Sequence, residues 1–284
     1  MFFQRLFPPP VLSPYIESFL VQEDFNPTNY ANRNSVKVLP TSMTVIGIQY
    51  GEPMRRLENR IAYEMGVSGI TGMQSTVKEY VSTGAIGTLI IQFKPGGLSQ
   101  FTKYPIHEFK NANVPLELVF PARSVHEMEE RLACAGAAAE RVGVVQQFLV
   151  SLLRDKEEEQ PVLLAARHIM TRHGAVSVEG LAAQLYMSKR TLERKFNALV
   201  GASPKMYASI IRFQHAIALR SNGCDYLDIV HACGYADQAH FAKDFRAFAG
   251  CTPEQFFHSE FQPELKKVFN KTEAPSGLNQ SMYY

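Results

Sequence analysis

Two stretches, LAAQLYMSKRTLERKFNALVGASPKMY (181–207) and GYADQAHFAKDFRAFAGCTPEQF (234–256), share one pattern. Sliding residues 178–207 against 227–256 at a constant offset of 49 pairs Ala183 with Ala232, Tyr186 with Tyr235, Phe196 with Phe245 and Ala198 with Ala247. Gly201 meets Gly250, Pro204 meets Pro253, and Tyr207 meets Phe256. Val178/Leu227, Leu181/Val230, Leu192/Phe241 and Arg194/Lys243 keep their character. Six identities over thirty ungapped residues, at core, turn and cap positions, exceed what shared composition usually gives. Each copy reads as a short helix, a tight turn, a capped second helix, then Gly and a Ser/Thr-Pro helix start.

That layout is a helix-turn-helix, whose second helix enters the DNA major groove. In SKRTLERKFNALVG (188–201), Leu192, Phe196 and Leu199 face inward, which leaves Lys189, Arg190, Glu193, Arg194 and Asn197 outward. Arg at such a place reaches guanine O6 and N7, while Lys and the amides capped by Ser188 hold phosphates. Glu193 either reads cytosine or pairs with a neighbouring Lys or Arg, and Lys195 belongs to the solvated flank. In DQAHFAKDFRAFAG (237–250), Phe241, Phe245 and Phe248 are buried, and Gln238, Ala239, His240, Ala242, Lys243 and Arg246 are presented. Gln238 can read adenine bidentately. His240 is either a DNA contact or a partly buried packing residue.

Punctuation extends the helical region both ways. Pro161 opens a helix through about His173, Ser177 caps a short helix, and Ser203-Pro204 starts a long one to about Ser221. Asp225, Asp237 and Thr252-Pro253 start the remaining three. The long helix, over residues 204–220, spans roughly 26 Å. Successive major-groove faces lie about 34 Å apart. Upstream, Ser124 with Glu127 makes a capping-box pattern, Gly136 interrupts, and Val142, Val145, Leu149 and Leu152 give a second amphipathic helix. Further upstream MTVIGIQYG (43–51), GVSGITGM (66–73) and GTLIIQFKPGG (87–97) read as strands of a barrel or sandwich. Lys94-Pro95-Gly96-Gly97 is a strand-ending turn; a phosphate loop would need a following Lys-Ser/Thr.

The chain as a whole has 29 basic and 27 acidic side chains, a net charge of +2 that taken alone argues against a nucleic-acid partner. Regional counts differ: residues 123–160 carry 5 basic against 8 acidic, and 161–262 carry 11 against 8. An acidic connector thus masks a modestly basic helical region. The expected division is a mostly-β sensory or dimerisation domain at 1–121, a helical connector and acidic linker at 122–160, a DNA-binding domain at 161–262, and a frayed tail at 263–284.

At this point the sequence resembles the two-motif DNA-binding domain of AraC/XylS-type bacterial transcription regulators over about residues 161–260. The resemblance implies seven helices forming two helix-turn-helix units joined by a long helix. It implies base and phosphate contacts at Arg190, Glu193 and Arg194 in the first unit and at Gln238, Ala239 and Lys243 in the second. Ala239 departs from the common pattern, being too short for most base contacts, so the second unit is expected to rely more on backbone contacts. VLPTSMTVIGIQYG (38–51) and LIIQFKPGGLSQF (89–101) resemble, less specifically, an N-terminal sensory domain of some members. The fold class expected is therefore α+β, a mostly-β N-terminal domain followed by an all-α C-terminal domain of about seven helices.

Several other functions are excluded or disfavoured. DNA-repair methyltransferases with a similar DNA-binding domain use an N-terminal cysteine cluster, and residues 1–133 contain no cysteine. Neither a Gly-x-Ser-x-Gly elbow nor a His-Glu-x-x-His pair occurs in the N-terminal half, so no enzymatic activity is expected. His231 with Cys224 and Cys233 matches no zinc spacing, and neither metal nor cofactor is expected. Prolines in MFFQRLFPPP and the lack of a long apolar run point to a cytoplasmic protein without a membrane partner. The expected partners are double-stranded promoter DNA, RNA polymerase for an activator, a small-molecule effector at the N-terminal domain, and a second copy in a homodimer. The competing reading is a DNA-bending architectural protein that senses no ligand.

Overall fold

Strands Ile16–Asp24 (β2) and Ile86–Phe93 (β9) pair antiparallel and organise the N-terminal half. The computed structural model describes residues 2–25, 35–59, 61–155 and 159–258; the tail 263–284 and residues 156–158 of the acidic run lie outside them. The other strands are Phe2–Leu6 (β1), Val36–Val38 (β3), Val45–Gln49 (β4), Met54–Glu58 (β5), Ile61–Glu64 (β6), Ser68–Thr71 (β7), Lys78–Ser82 (β8) and Asn113–Pro115 (β10). They form a six-stranded sheet of order β1-β2-β9-β4-β7-β10 and a four-stranded sheet of order β3-β8-β5-β6, every pairing antiparallel.

Register explains why the alternation of these strands looks imperfect in sequence. Across the six-stranded sheet Phe19 pairs with Ile91, Ile91 with Ile46, and Ile46 with Ile70, all on one face and all buried. The opposite face carries Ser18, Leu20, Thr88 and Gln92, which are buried too, and the Ser18 hydroxyl donates to Gln92 Oε1 at 2.7 Å. A sheet covered on both sides does not alternate cleanly between apolar and charged.

The Phe19/Ile91 face is covered by helices Ala122–Cys134 (α1) and Ala138–Leu152 (α2), which share its core through Val125, Met128, Leu132, Val142, Val145 and Leu149. Arg141 on α2 pairs with Glu23 on β2 at 2.6 Å and lies over the Tyr50 ring. One local expectation is corrected. Helix α1 starts at Ala122 behind Pro121, so Ser124 lies inside its first turn and caps nothing. Proline's fixed φ, here −56°, sets the entry instead.

Seven helices follow among the described residues: Gln160–Thr171 (α3), Val178–Gln184 (α4), Lys189–Val200 (α5), Pro204–Ser221 (α6), Tyr226–Ala232 (α7), Gln238–Ala249 (α8) and Pro253–His258 (α9). Their caps are those read from sequence: Ser177, Ser188, Ser203, Asp225 and Asp237 each accept from a backbone N–H of the first turn. Gly201 (φ 100°) and Gly250 (φ 77°) end the second helix of each copy in the left-handed conformation that favours glycine. No described helix is long and apolar enough to cross a membrane.

The repeat itself needs one correction. The second helices, α5 and α8, match at an offset of 49, but the first helices, α4 and α7, match at 48. Buried Leu181 and Ala182 therefore correspond to buried Ile229 and Val230, and the ungapped partner of Val178, Leu227, is exposed. The second copy has one extra residue in its turn. Tyr186 is the structural counterpart of Gly234, both with positive φ, and inward-packed Tyr235 is the counterpart of Met187, so the extra residue falls after it.

The core of the helical half is completed from outside it. Leu39 and Met73, from segments that connect strands, belong to the same buried cluster as Phe196, Phe213 and Phe245.

Candidate nucleic-acid interface

Helix α6 holds both units. Tyr207, fully buried near its start, packs edge-on against Phe196 of α5 with ring centroids 5.5 Å apart. Further along, Phe213 meets Phe245 and Phe248 of α8, each at 5.1 Å. The outward faces of α5 and α8 are thus fixed by packing on one rod of 18 residues, roughly 27 Å long.

On α5 the buried stripe Leu192, Phe196, Leu199 and Val200 turns Lys189, Arg190 and Arg194 to solvent, with Glu193 and Asn197 half-buried. The Ser188 hydroxyl accepts from the Thr191 N–H at 3.1 Å, which fixes where the helix begins. Lys189 Nζ lies 2.6 Å from Glu179 Oε1. That hydrogen bond holds the Glu179 carboxyl below the usual carboxylate range and lifts the Lys189 ammonium above its own. It also ties the first turn of α5 to the first turn of α4. Lys195 pairs with Glu159 at 2.7 Å, on the side of α3. Arg190 and Arg194 have no ion-pair partner among the described residues.

On α8 the stripe Phe241, Phe245, Phe248 and Ala249 leaves Gln238, Ala239, His240, Lys243 and Arg246 exposed and Ala242 half-buried. Asp237 Oδ1 accepts from the His240 N–H at 2.7 Å. The His240 ring stands edge-on to Tyr235 at 5.3 Å, and its Nε2 is 3.8 Å from Asp244 Oδ2. Arg212 of α6 lies over the other part of this cluster, 4.7 Å from the Tyr235 ring centre and 3.9 Å from Asp244. His240 is therefore exposed and steadied at the same time. Cys233 is buried, and burial pushes its thiol up to about 11, while His231 points to solvent.

Sequence reasoning missed two features. One is Tyr186, read as a repeat of buried Tyr235 but 99% exposed at the left-handed turn position. The signal available was positional: the residue closing a helix this way is usually glycine. The other is the seam between the halves. The Val77 N–H donates to the Phe248 carbonyl at 3.0 Å. A Cβ on Gly201 would come within 3.0 Å of Ile106, and one on Gly250 within 3.3 Å of Val77. Gln214 of α6 donates to the Pro40 carbonyl at 3.5 Å and accepts from the Ser42 hydroxyl at 3.4 Å. The strand half therefore touches both units at equivalent places, the C-terminal ends of α5 and α8.

Comparison with known proteins adds to this geometry. Residues 181–259 match a family described as a helix-turn-helix domain, and residues 4–115 match a domain of unknown function, DUF6597. The HTH-type transcriptional activator RhaS of Pectobacterium atrosepticum is 29% identical over 130 residues, covering 45% of this chain and 40% of RhaS. The HTH-type transcriptional regulator CdhR of Pseudomonas aeruginosa is 24% identical over 147 residues, covering 46% and 44%. The chain thus spans less than half the length of each of these relatives. ToxT of Vibrio cholerae superposes over 89% of this chain and 97% of its own at 10% identity and a TM-score of 0.44, too loosely to bear on the site.

Proposed function

We infer, from a chain that carries an AraC/XylS-type helix-turn-helix domain over residues 181–259, that it regulates transcription by binding promoter DNA through both units. One observation carries this reading: two exposed basic faces, Arg190 with Arg194 and Lys243 with Arg246, stand on helices packed against the same rod. In this reading Arg190 and Arg194 contact base edges, and Ser188, Lys189 and Asn197 serve the flanking phosphates. Glu193, half-buried beside Lys189, adjusts that charge. On α8, Gln238 is the base reader, Lys243 and Arg246 hold phosphate, His240 supports them, and Ala239 lets the backbone approach closely. Lys189 must exchange Glu179 for phosphate as it binds.

Residues 1–121 are the sensing or dimerising part of this proposal, 122–160 the connector, and 161–262 the DNA-binding part. Support for sensing comes from the six-stranded sheet, whose face away from α1 and α2 is lined by Ser18, Thr88 and Gln92. Gly47 opens on that face, since a Cβ there would meet nothing within 4 Å. Buried hydroxyl and amide groups set among Leu20 and Ile90 suit a small molecule that is apolar with a polar end. Because the strand half touches both units, a ligand that shifts it changes how α5 and α8 are held together, a population shift between DNA-binding arrangements. A second copy of the chain, RNA polymerase and a cytoplasmic setting complete the proposal.

The test is selection of duplexes from a randomised pool by the full-length protein, followed by footprinting. Two adjacent half-sites on one face of the duplex are expected. Bending without sequence preference would replace this reading with an architectural role.

A further inference from the structure

The turn between α4 and α5 holds a residue that the fold does not need. At the end of α4, Tyr186 N–H donates to the Ala183 carbonyl at 3.1 Å and Met187 N–H to Ala182 at 3.0 Å. At the end of α7, Gly234 N–H donates to His231 at 3.1 Å and Tyr235 N–H to Val230 at 2.9 Å. This closure places the first donor in a left-handed backbone. Glycine takes that conformation without strain, whereas a bulky L-residue does not. Gly234 (φ 68°) meets the requirement, and Tyr186 (φ 52°) violates it.

Within the fold nothing offsets the violation. The Tyr186 side chain is 99% exposed, and among the described residues it has no hydrogen-bond or ring partner. Three other described non-glycine residues have positive φ. Asn59 and Asn111 are of the type that tolerates it. His173 is bulky but stacks on His215 with centroids 3.9 Å apart. Strain held without a packing return is a mark of functional positions. The location agrees: Tyr186 stands two residues ahead of Ser188, the cap of α5, and next to the exposed run Lys189-Arg190.

Resting on the DNA-binding reading above, we propose that Tyr186 is a DNA contact, its phenol donating a hydrogen bond to a backbone phosphate oxygen beside the groove that α5 enters. Tyrosine is a suitable neutral donor to phosphate, and being neutral it adds grip without displacing further counterions. The second unit has Gly234 at the equivalent place and Tyr235 buried beneath Arg212, so it makes no such contact. The two half-sites are gripped unequally.

Full-length Tyr186→Phe and Tyr186→Gly proteins, measured on the duplex that the wild type selects from a randomised pool, test this. Losing one such bond should weaken binding about fivefold in Tyr186→Phe. Tyr186→Gly should bind at least as weakly while its thermal midpoint holds or rises, because glycine relieves the turn. Phosphate-ethylation interference should lose one contact at the flank of the first half-site with both variants. Affinity indistinguishable from wild type in both variants overturns the proposal, as does weakened binding that merely follows a lowered midpoint. Normal DNA binding with reduced transcription by RNA polymerase also overturns it, since the partner is then a protein. A wild type that selects no duplex fails the DNA-binding reading itself; equal binding by wild type and variants fails this inference alone.

Discussion

The Val77 N–H and the Phe248 carbonyl, 171 residues apart in sequence (248 − 77), are joined by a 3.0 Å hydrogen bond. Val77 lies just ahead of β8, and Phe248 in the last turn of α8, whose carbonyls have no partner inside the helix. The strand half thus supplies a donor to one of the two helices proposed to face DNA. Met73, four residues earlier (77 − 73), is 1% exposed and sits in the helical core.

Met73→Ala should therefore destabilise the helical half, although the residue is outside it. Truncating a buried methionine typically costs about 2–5 kcal/mol. Denaturant unfolding followed by helical circular dichroism should show the lowered midpoint. An unchanged helical transition, with only the strand signal shifted, would contradict the shared core.

Arg190→Ala and Arg194→Ala should each weaken specific binding by about 1–3 kcal/mol if they read bases. The comparison is between the selected duplex and a random one. Equal losses on both would reassign the two residues to phosphate contacts.

Removing the caps Ser188 and Asp237 should cost about 1 kcal/mol each on Ala substitution. Each side chain accepts from its own first turn, at 3.1 and 2.7 Å. Chemical unfolding measures this, and the two effects should add, because the caps serve different helices.

Burial, and then the charge of neighbouring His173, hold the His215 imidazole below its ordinary range. As pH falls, the unfolded chain takes up the proton first, so stability present above the unfolded pKa of about 6.5 declines below it. Thermal midpoints of wild type and His215→Phe at pH 7.5 and 5.5 check the sign. The wild type should lose more on acidification, and an equal loss in both would remove His215 as the cause.

The helical half was legible because its signals are local. Ser188, Asp237, Gly201 and Gly250 announce helix ends through their own side chains or the lack of one. The inserted turn residue was not, because Ala183/Ala232 and Tyr186/Tyr235 are identities that an ungapped comparison rewards, while the geometry pairs Tyr186 with Gly234. Ser124 resembled a cap by type and spacing, and Pro121 overrode it. The seam was hidden for a different reason. Leu39, Met73 and Ile106 look like any apolar residues between strands, and hydrophobic burial carries no label of which surface provides it. Lys189 was correctly placed outward, but its bond to Glu179 depends on how α4 and α5 cross.

Tyr207 and Phe213 lie on one uninterrupted helix, and this bears on how the chain and its target sequences can drift over time. A regulator whose two readers hang on a loose tether tolerates base pairs gained or lost between its half-sites. Under the proposed function, a single inserted base pair swings the second half-site by about 35° around the duplex, and one residue inserted in α6 swings the second reader by about 100°. Neither change compensates the other, so the spacer in the operator and the length of α6 should be among the slowest features to change in this lineage.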